Sequence, residues 1–306
     1  MPTTHPAPNP VLVRRLLAAQ LPELAGLPLA RLDPAGSDNV IYRLGTELSV
    51  RLPRGEWAAG QPEKEARCLP RLAPHLPLAI PEPIALGSPT EGYPWHWSVS
   101  RWLPGSPPDI GGLPHPDQTA AELARFVAAL HRIPADAALA PGPHNGFIGA
   151  PLARRDTETR VAIAETADVF DSSALTAIWD AALAAPPWPH PPVWVHGDLH
   201  PGNLLMADGR VSAVLDFGGL GVGDPACDAL IAWTLLPASA REIFRAESGF
   251  DEDTWTRGRG YALCTGLNAY TAYAATNPRV AASTRHQITE TVADFQRDGF
   301  RTAAPR

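Results

Sequence analysis

The chain has 306 residues and a formal charge of −7, from 25 basic and 32 acidic side chains. A chain this long buries about three quarters of its unfolded surface, so it needs no disulfide or metal staple, and its acidic balance argues against a nucleic-acid partner. Hydrophobic residues at 45% exclude intrinsic disorder, while 35 prolines and 25 glycines imply a globular protein with many stiff connections. In chain order, residues 1–10 read as a Pro-rich loose tail. Residues 11–21 carry apolar side chains at helical spacing, ended by Pro22. Residues 39–52 read as two strands joined around Gly45-Thr46-Glu47, and 63–73 as a helix whose end Pro70 obscures. Residues 95–103 alternate as a strand. The first ~100 residues thus form a small α+β unit. After the Pro/Gly-punctuated stretch 104–116 the pattern turns mainly helical, with Leu123, Phe126, Val127 and Leu130 on one stripe. Residues 193–217 return to β structure, and 225–298 are helical.

Several function classes fall away early. Lys64 is the single lysine and stands in Pro62-Glu63-Lys64-Glu65, so no GK[ST] phosphate loop exists, and a Schiff-base enzyme would have to use Lys64, to which that acidic, helical context is ill suited. Cys68, Cys227 and Cys264 are scattered without a CxxC, which fits buried thiols in a reducing compartment. No apolar run approaches the ~20 residues of a membrane span, and Arg14 and Arg15 interrupt the N-terminal apolar stretch. The expectation is a cytoplasmic protein, monomer or homodimer, with no membrane partner. Residues 1–100 are balanced at 9 basic and 9 acidic groups; the whole net charge lies in 101–306. That is a solvated acidic surface or an acidic cleft for cationic ligands.

The informative stretch is 193–228, VWVHGDLHPGNLLMADGRVSAVLDFGGLGVGDPACD. Asp208-Gly209 between apolar runs is a hairpin signal. Extending that pairing outward sets Asn203 opposite Val214 and makes Asp216 its diagonal neighbour, about 7–8 Å away at Cα. An amide oxygen and a carboxylate at that spacing suit a hard cation such as Mg²⁺. Asp198, on the loop feeding the hairpin, is placed to orient or deprotonate an attacking hydroxyl. The competing readings are weaker. Isolated turn acids do not explain three oxygen-bearing side chains in this arrangement. A zinc pair of His196 and His200 needs a helix, which Gly197, Pro201 and Gly202 oppose.

HGDLHPGN, followed by LDFGG and GDPACD, resembles the aminoglycoside phosphotransferase family, relatives of the protein kinases. The resemblance implies a bilobal α+β, protein-kinase-like fold. Residues 1–100 would be a β-rich N-lobe with one helix, and 101–306 a mainly helical C-lobe holding hinge, catalytic loop, metal site and acceptor helices. Asp198 matches the catalytic Asp, and Asn203 and Asp216 match the Mg²⁺ ligands. His196, Asp224 and Asp228 match residues that brace the loops. Arg51, in Leu48-Ser49-Val50-Arg51-Leu52, stands where the kinase-like β3 lysine belongs, and guanidinium forks onto phosphate oxygens. Glu65 resembles the helix Glu that pairs with that cation; Glu63 offers the other register. Ser37, in Gly36-Ser37-Asp38-Asn39, stands at the phosphate-covering loop, and 98–102, with Ser100 and Trp102, resembles the adenine hinge.

The implied reaction is in-line transfer of the ATP γ-phosphoryl group, with Mg²⁺, to a hydroxyl of a small molecule. An aminoglycoside-type antibiotic is the first expectation, with a role in resistance. A macrolide or a choline- or sugar-like metabolite is the alternative, and a nucleotide-binding pseudokinase or interaction module is the reading from another class. In the family the acceptor pocket is built from C-terminal helices, which here carry Asp251-Glu252-Asp253, Trp233, Trp255, Tyr261, Tyr270 and Tyr273. The acidic triplet also reads as a first-turn helix cluster, and the aromatics as core.

Overall fold

The computed structural model describes residues 8–32, 38–90, 92–135 and 139–303, with side chains as far as 298. The tail at 1–7 and the loop residues Gly36 and Ser37 lie outside the described residues. The chain divides into two compact units: Met1–Gly105 with Ala213–Gly218, and Ser106–Ser212 with Gly219–Arg306.

In the first unit, Asn9 accepts the Leu12 amide and Pro10 takes the first helical position, so α1 starts at once and runs Pro10–Gln20. Its Leu12, Val13, Leu16 and Leu17 recur at helical spacing and are buried. They join a core formed by one face of a five-stranded antiparallel sheet: β1 (Leu29–Arg31), β2 (Asn39–Leu44), β3 (Leu48–Pro53), β4 (Pro83–Gly87) and β5 (Trp97–Arg101), in the order β1-β2-β3-β5-β4. The expected hairpin is β2–β3. The edge strands β1 and β4 escaped the sequence reading because they are short and only partly buried. Helix α2 spans Gln61–Leu72 and runs through Pro70, which lies in its last turn, where a missing N–H removes only one bond.

Period-two alternation gives this sheet two unlike faces. Val40, Tyr42, Leu44, Val50, Leu52, Trp97 and Val99 face the core. Ser49, Arg51, Ser98 and Ser100 share the opposite face, with Ser49 across from Ser100 and Arg51 across from Ser98. All four are buried. A buried polar face is costly unless its groups are partnered.

The first unit also takes in 213–218, far along the chain from the rest of it. Ala213 bridges Ala79, and the Val214 amide donates to the Ala79 carbonyl at 2.9 Å, which attaches 213–218 to the first unit. That attachment spans more than 130 residues of chain, so no local composition shift announces it.

The second unit carries α3 (Pro116–Arg132), α4 (Asp156–Glu165), α5 (Ser172–Ala184), β6 (Val193–Val195), β7 (Leu204–Ala207), β8 (Arg210–Val214, whose last two residues count with the first unit), β9 (Gly221–Gly223), α6 (Ile231–Thr234), α7 (Ala238–Ser248), α8 (Glu252–Tyr273) and α9 (Pro278–Ala303). β6 pairs antiparallel with β9, and β7 with β8. The stripe Leu123, Phe126, Val127 and Leu130 of α3 is fully buried. Leu175, Ile178 and Trp179 of α5 pack with Leu263, Cys264 and Leu267 of α8 and Ile288 of α9. A β-rich first unit and a mainly helical second unit make this the expected α+β fold. Cys68, Cys227 and Cys264 are free and buried. No helix among the described residues is long and apolar enough to cross a membrane.

Candidate active site

In the second unit, β6 delivers the chain into His196-Gly197-Asp198. Asp228 is fully buried and holds this loop from beneath: its carboxylate accepts the His196 amide at 3.2 Å and the Gly197 amide at 2.7 Å. His131 of α3 lies 3.0 Å from the same carboxylate. Gly197 adopts φ +78, and a Cβ there would fall 2.1 Å from Ile148 Cγ2, so both backbone and space demand glycine. Tyr261 of α8 donates its hydroxyl to the Gly197 carbonyl at 3.1 Å. His196, fully buried, accepts the Asp198 amide on Nδ1 at 3.2 Å. The loop is thus fixed on both backbone sides while Asp198 points its side chain outward, half exposed.

The Asn203 amide donates to both the carbonyl of Asp198, at 2.9 Å, and its Oδ2, at 3.0 Å. His200 Nε2 lies 3.6 Å from the same carboxylate. Partial burial pushes the Asp198 carboxyl up, but the neighbouring His200 imidazole and the Asn203 amide outweigh it and hold it below the ordinary carboxylate value. Asp198 is therefore an anion at neutral pH.

In the first unit, Arg51 of β3 donates to Glu65 Oε2 of α2 at 2.7 Å, and its second terminal nitrogen reaches Asp216 Oδ1 at 3.3 Å. Both members of the Arg51–Glu65 pair are buried. Burial would lower the Arg51 guanidinium, but the Glu65 and Asp216 carboxylates more than offset it, so Arg51 stays charged. Burial pushes the Glu65 carboxyl up against the opposing pull of Arg51. Its Oε1 is buried without a hydrogen bond. Glu63, the other register, is more exposed and lies 3.1 Å from His96.

Asn203 and Asp216 do not sit on the hairpin ribbon as the extended pairing required. Asp208 and Gly209 both have positive φ, the turn expected of Asp-Gly. But Pro201–Asn203 form a 3-10 turn, so β7 begins only at Leu204, and Asp216 lies beyond β8 in a left-handed conformation, φ +58. Each nevertheless keeps an oxygen for a cation. Asn203 directs its Nδ2 hydrogens to Asp198, which turns Oδ1 away from that carboxylate. Asp216 gives Oδ1 to Arg51 and the Gly218 amide, which leaves Oδ2. Among the described residues no three His, Cys, Asp or Glu converge as a metal site. A carboxylate oxygen and an amide oxygen are each of the hard-donor type that Mg²⁺ takes.

The other expected residues fall as follows. Asp224 caps the turn Pro225–Leu230 and takes a two-pronged bond from Arg257, at 2.7 and 3.1 Å. Ser100 lies on the buried polar sheet face, its carbonyl accepting the Ser49 hydroxyl. Trp102 lies under the Arg43 guanidinium, and its amide donates to the Glu47 carbonyl. Of the acidic triplet, Asp251 caps α8 through the Thr254 amide and Glu252 pairs with Arg245. Trp233 and Trp255 stack in the core. Sequence reasoning missed Tyr261, His131 and Ile148 as supports of the Asp198 loop. It also missed a cavity of about 1070 Å³ in the second unit, walled by Phe147, Leu152, Trp188 and Val222 with Arg154 and His190 among its polar groups. Phe147 and Gly149 of its wall flank Ile148, the residue a Cβ on Gly197 would meet.

The model of the phosphotransferase enzyme family (APH) matches residues 30–261. Among solved structures, the GDP complex of wild-type aminoglycoside 2'-phosphotransferase-IIIa is similar over 94% of this chain and 99% of its own, at TM-score 0.72 and 20% identity. The streptomycin–ATP–APH(2")-IIa ternary complex is similar over 83% and 89%, at 0.60 and 16%. The macrolide 2'-phosphotransferase MphH from Brachybacterium faecium is similar over 89% and 98%, at 0.57 and 25%. No curated protein matches in sequence.

Proposed function

The chain belongs to the phosphotransferase enzyme family, and from that premise we propose that it moves the γ-phosphoryl group of ATP onto a hydroxyl of a small molecule. The observation that carries this reading is Asp198: an anion at neutral pH, on a loop braced by Asp228 and Tyr261, with the Asn203 amide bound to it.

Asp198 accepts the hydrogen bond of the acceptor hydroxyl and takes up its proton as the oxygen attacks phosphorus in line. The new O–P bond forms as the bond to the ADP β-phosphate oxygen breaks. Arg51 offers its N–H groups to the α- and β-phosphates, and Glu65 keeps it from swinging away. The buried polar face with Ser49, Ser98 and Ser100 takes the nucleotide base side. Asn203 Oδ1 and Asp216 Oδ2 would hold Mg²⁺, which supplies charge neutralisation on the phosphates. His196, Asp224 and Asp228 act by holding backbone in place.

For the acceptor, the aminoglycoside complexes among the similar structures support a hydroxylated antibiotic of that type. One observation favours a second reading. The cavity walled by Phe147, Leu152, Trp188 and Val222 is mainly apolar, and Arg154 and Arg257 outnumber its single carboxylate, Asp224, which Arg257 already engages. Such walls suit an acceptor with broad apolar surface, of the macrolide kind, better than a polycation. The test is ADP release with Mg·ATP across aminoglycosides, macrolides, choline and sugars. The expected result is release that depends on one acceptor class and vanishes in Asp198→Ala. ATP binding without turnover on any acceptor would establish a binding module instead.

A further inference from the structure

Lys64 is the only lysine among 306 residues, and it is buried in α2 at 6% exposure. Its Nζ donates to the carbonyl of Gly218 at 2.6 Å. That carbonyl belongs to the turn Phe217–Gly219, which directly follows Asp216. The same turn closes on itself through the Gly218 amide and Asp216 Oδ1, at 3.3 Å. Gln61, one helical turn before Lys64, closes over the same residue: a Cβ on Gly218 would lie 2.6 Å from its Nε2. Helix α2 therefore makes two attachments within the first unit. Glu65 fixes Arg51, and Lys64 fixes the peptide two residues past Asp216.

The residue type is informative. An ammonium is a compact point donor that can end on one carbonyl, whereas a planar guanidinium needs a forked partner. Burying it carries a desolvation cost, which pulls Lys64 from 10.5 down to about 8. An apolar side chain would fill the same space without that cost. The chain uses arginine for every other permanent side-chain cation and keeps its one lysine where it reaches the buried Gly218 carbonyl.

We propose that Lys64 is a positioning residue that fastens the Asp216–Gly218 turn to α2, so that the Asp216 carboxylate keeps its second oxygen available to a divalent cation. The fastening itself stands on the geometry above; its consequence for the cation rests on the phosphotransferase reading.

Two arms test it separately. Without ligand, hydrogen exchange across 213–220 should quicken at least about tenfold in Lys64→Met, while its melting temperature is unchanged or raised. Exchange within twofold of wild type would overturn the proposal. In the second arm, ADP binding is measured with Mg²⁺ and with EDTA. Lys64→Met should lose most of the Mg²⁺-dependent gain in affinity, with metal-free ADP binding within twofold of wild type. An undiminished gain would overturn the consequence drawn for Asp216. If wild type itself shows no Mg²⁺ effect, the phosphotransferase reading fails and the exchange arm alone decides the fastening. Should Lys64→Met not fold, Lys64→Leu replaces it, since it too fills the space without a donor for the Gly218 carbonyl. Lys64→Leu with a native circular dichroism spectrum must show the faster exchange at 213–220; unchanged exchange contradicts the proposal.

Discussion

Replacing Glu65 with alanine strips Arg51 of its nearest counter-charge. The pair is 2.7 Å apart, with side-chain exposures of 11% and 4%, so water cannot substitute for the lost carboxylate. Breaking a buried pair from one side costs about 3–5 kcal/mol. Asp216, already 3.3 Å from the other terminal nitrogen, recovers part of that. We expect a loss near 3 kcal/mol, roughly a hundredfold in the folded-to-unfolded ratio. Arg51→Met together with the same Glu65→Ala removes both charges of the pair, and Arg51→Met alone completes the cycle. The double variant should fall short of the summed single losses by about 2 kcal/mol. Urea denaturation of the four proteins at pH 7, followed by circular dichroism, measures this. The activity should report the same rearrangement. Freed from Glu65, Arg51 turns its fork onto Asp216 and competes for the proposed cation ligand, so the Mg²⁺ concentration for half-maximal rate should rise about tenfold, the equivalent of ~1.4 kcal/mol. Additivity within about 0.5 kcal/mol, with an unchanged Mg²⁺ requirement, would refute the coupling of these three side chains.

Asp198→Asn should lower kcat by about 10³ and leave the Kd for ADP within twofold, checked by steady-state kinetics and calorimetry. Because its neighbours hold the Asp198 carboxyl below the ordinary value, the acid limb of kcat/KM in wild type should lie below about pH 4 wherever the fold survives, and a limb near pH 6 would count against Asp198 as the base. Gly197→Ala meets both a left-handed backbone and Ile148 Cγ2 at 2.1 Å, and should cost about 3 kcal/mol in urea denaturation. Lys64 titrates near 8 in the folded chain against 10.5 unfolded, so between those values the unfolded chain binds more protons and stability rises with pH, by about 3 kcal/mol in all. Denaturation at pH 7, 8.5 and 10 should show that rise in wild type relative to Lys64→Met.

What the sequence disclosed and what it hid follow from range. The α1 stripe, the β2–β3 hairpin and the Asp208-Gly209 turn are local patterns, and their signals are local. Asp198 and Asn203 stand five positions apart in one motif, and the hydrogen bond that joins them in the structure was not part of the sequence reading. Arg51 and Glu65 were legible only through resemblance, since thirteen residues and a change from strand to helix intervene. Tyr261 on Gly197, His131 on Asp228 and Arg257 on Asp224 join residues 33 to 97 apart, and no spacing rule reaches that far. The hairpin construction for Asn203 and Asp216 failed for a local reason: it prolonged two strands through Pro201-Gly202 and through a left-handed Asp216. Lys64 was read only as an argument against other enzyme classes, because nothing near it in sequence reveals the Gly218 carbonyl.

The central claim is that Asp198 activates a small-molecule hydroxyl toward the γ-phosphorus of ATP. Incubating wild type and Asp198→Asn with ATP carrying ¹⁸O on its γ-phosphate, and weighing each acceptor afterwards by mass spectrometry, tests it most directly. The account predicts an acceptor that gains one labelled phosphoryl group with wild type and gains essentially none with the variant. Labelled inorganic phosphate with every acceptor unchanged, or equal transfer by both proteins, would contradict it.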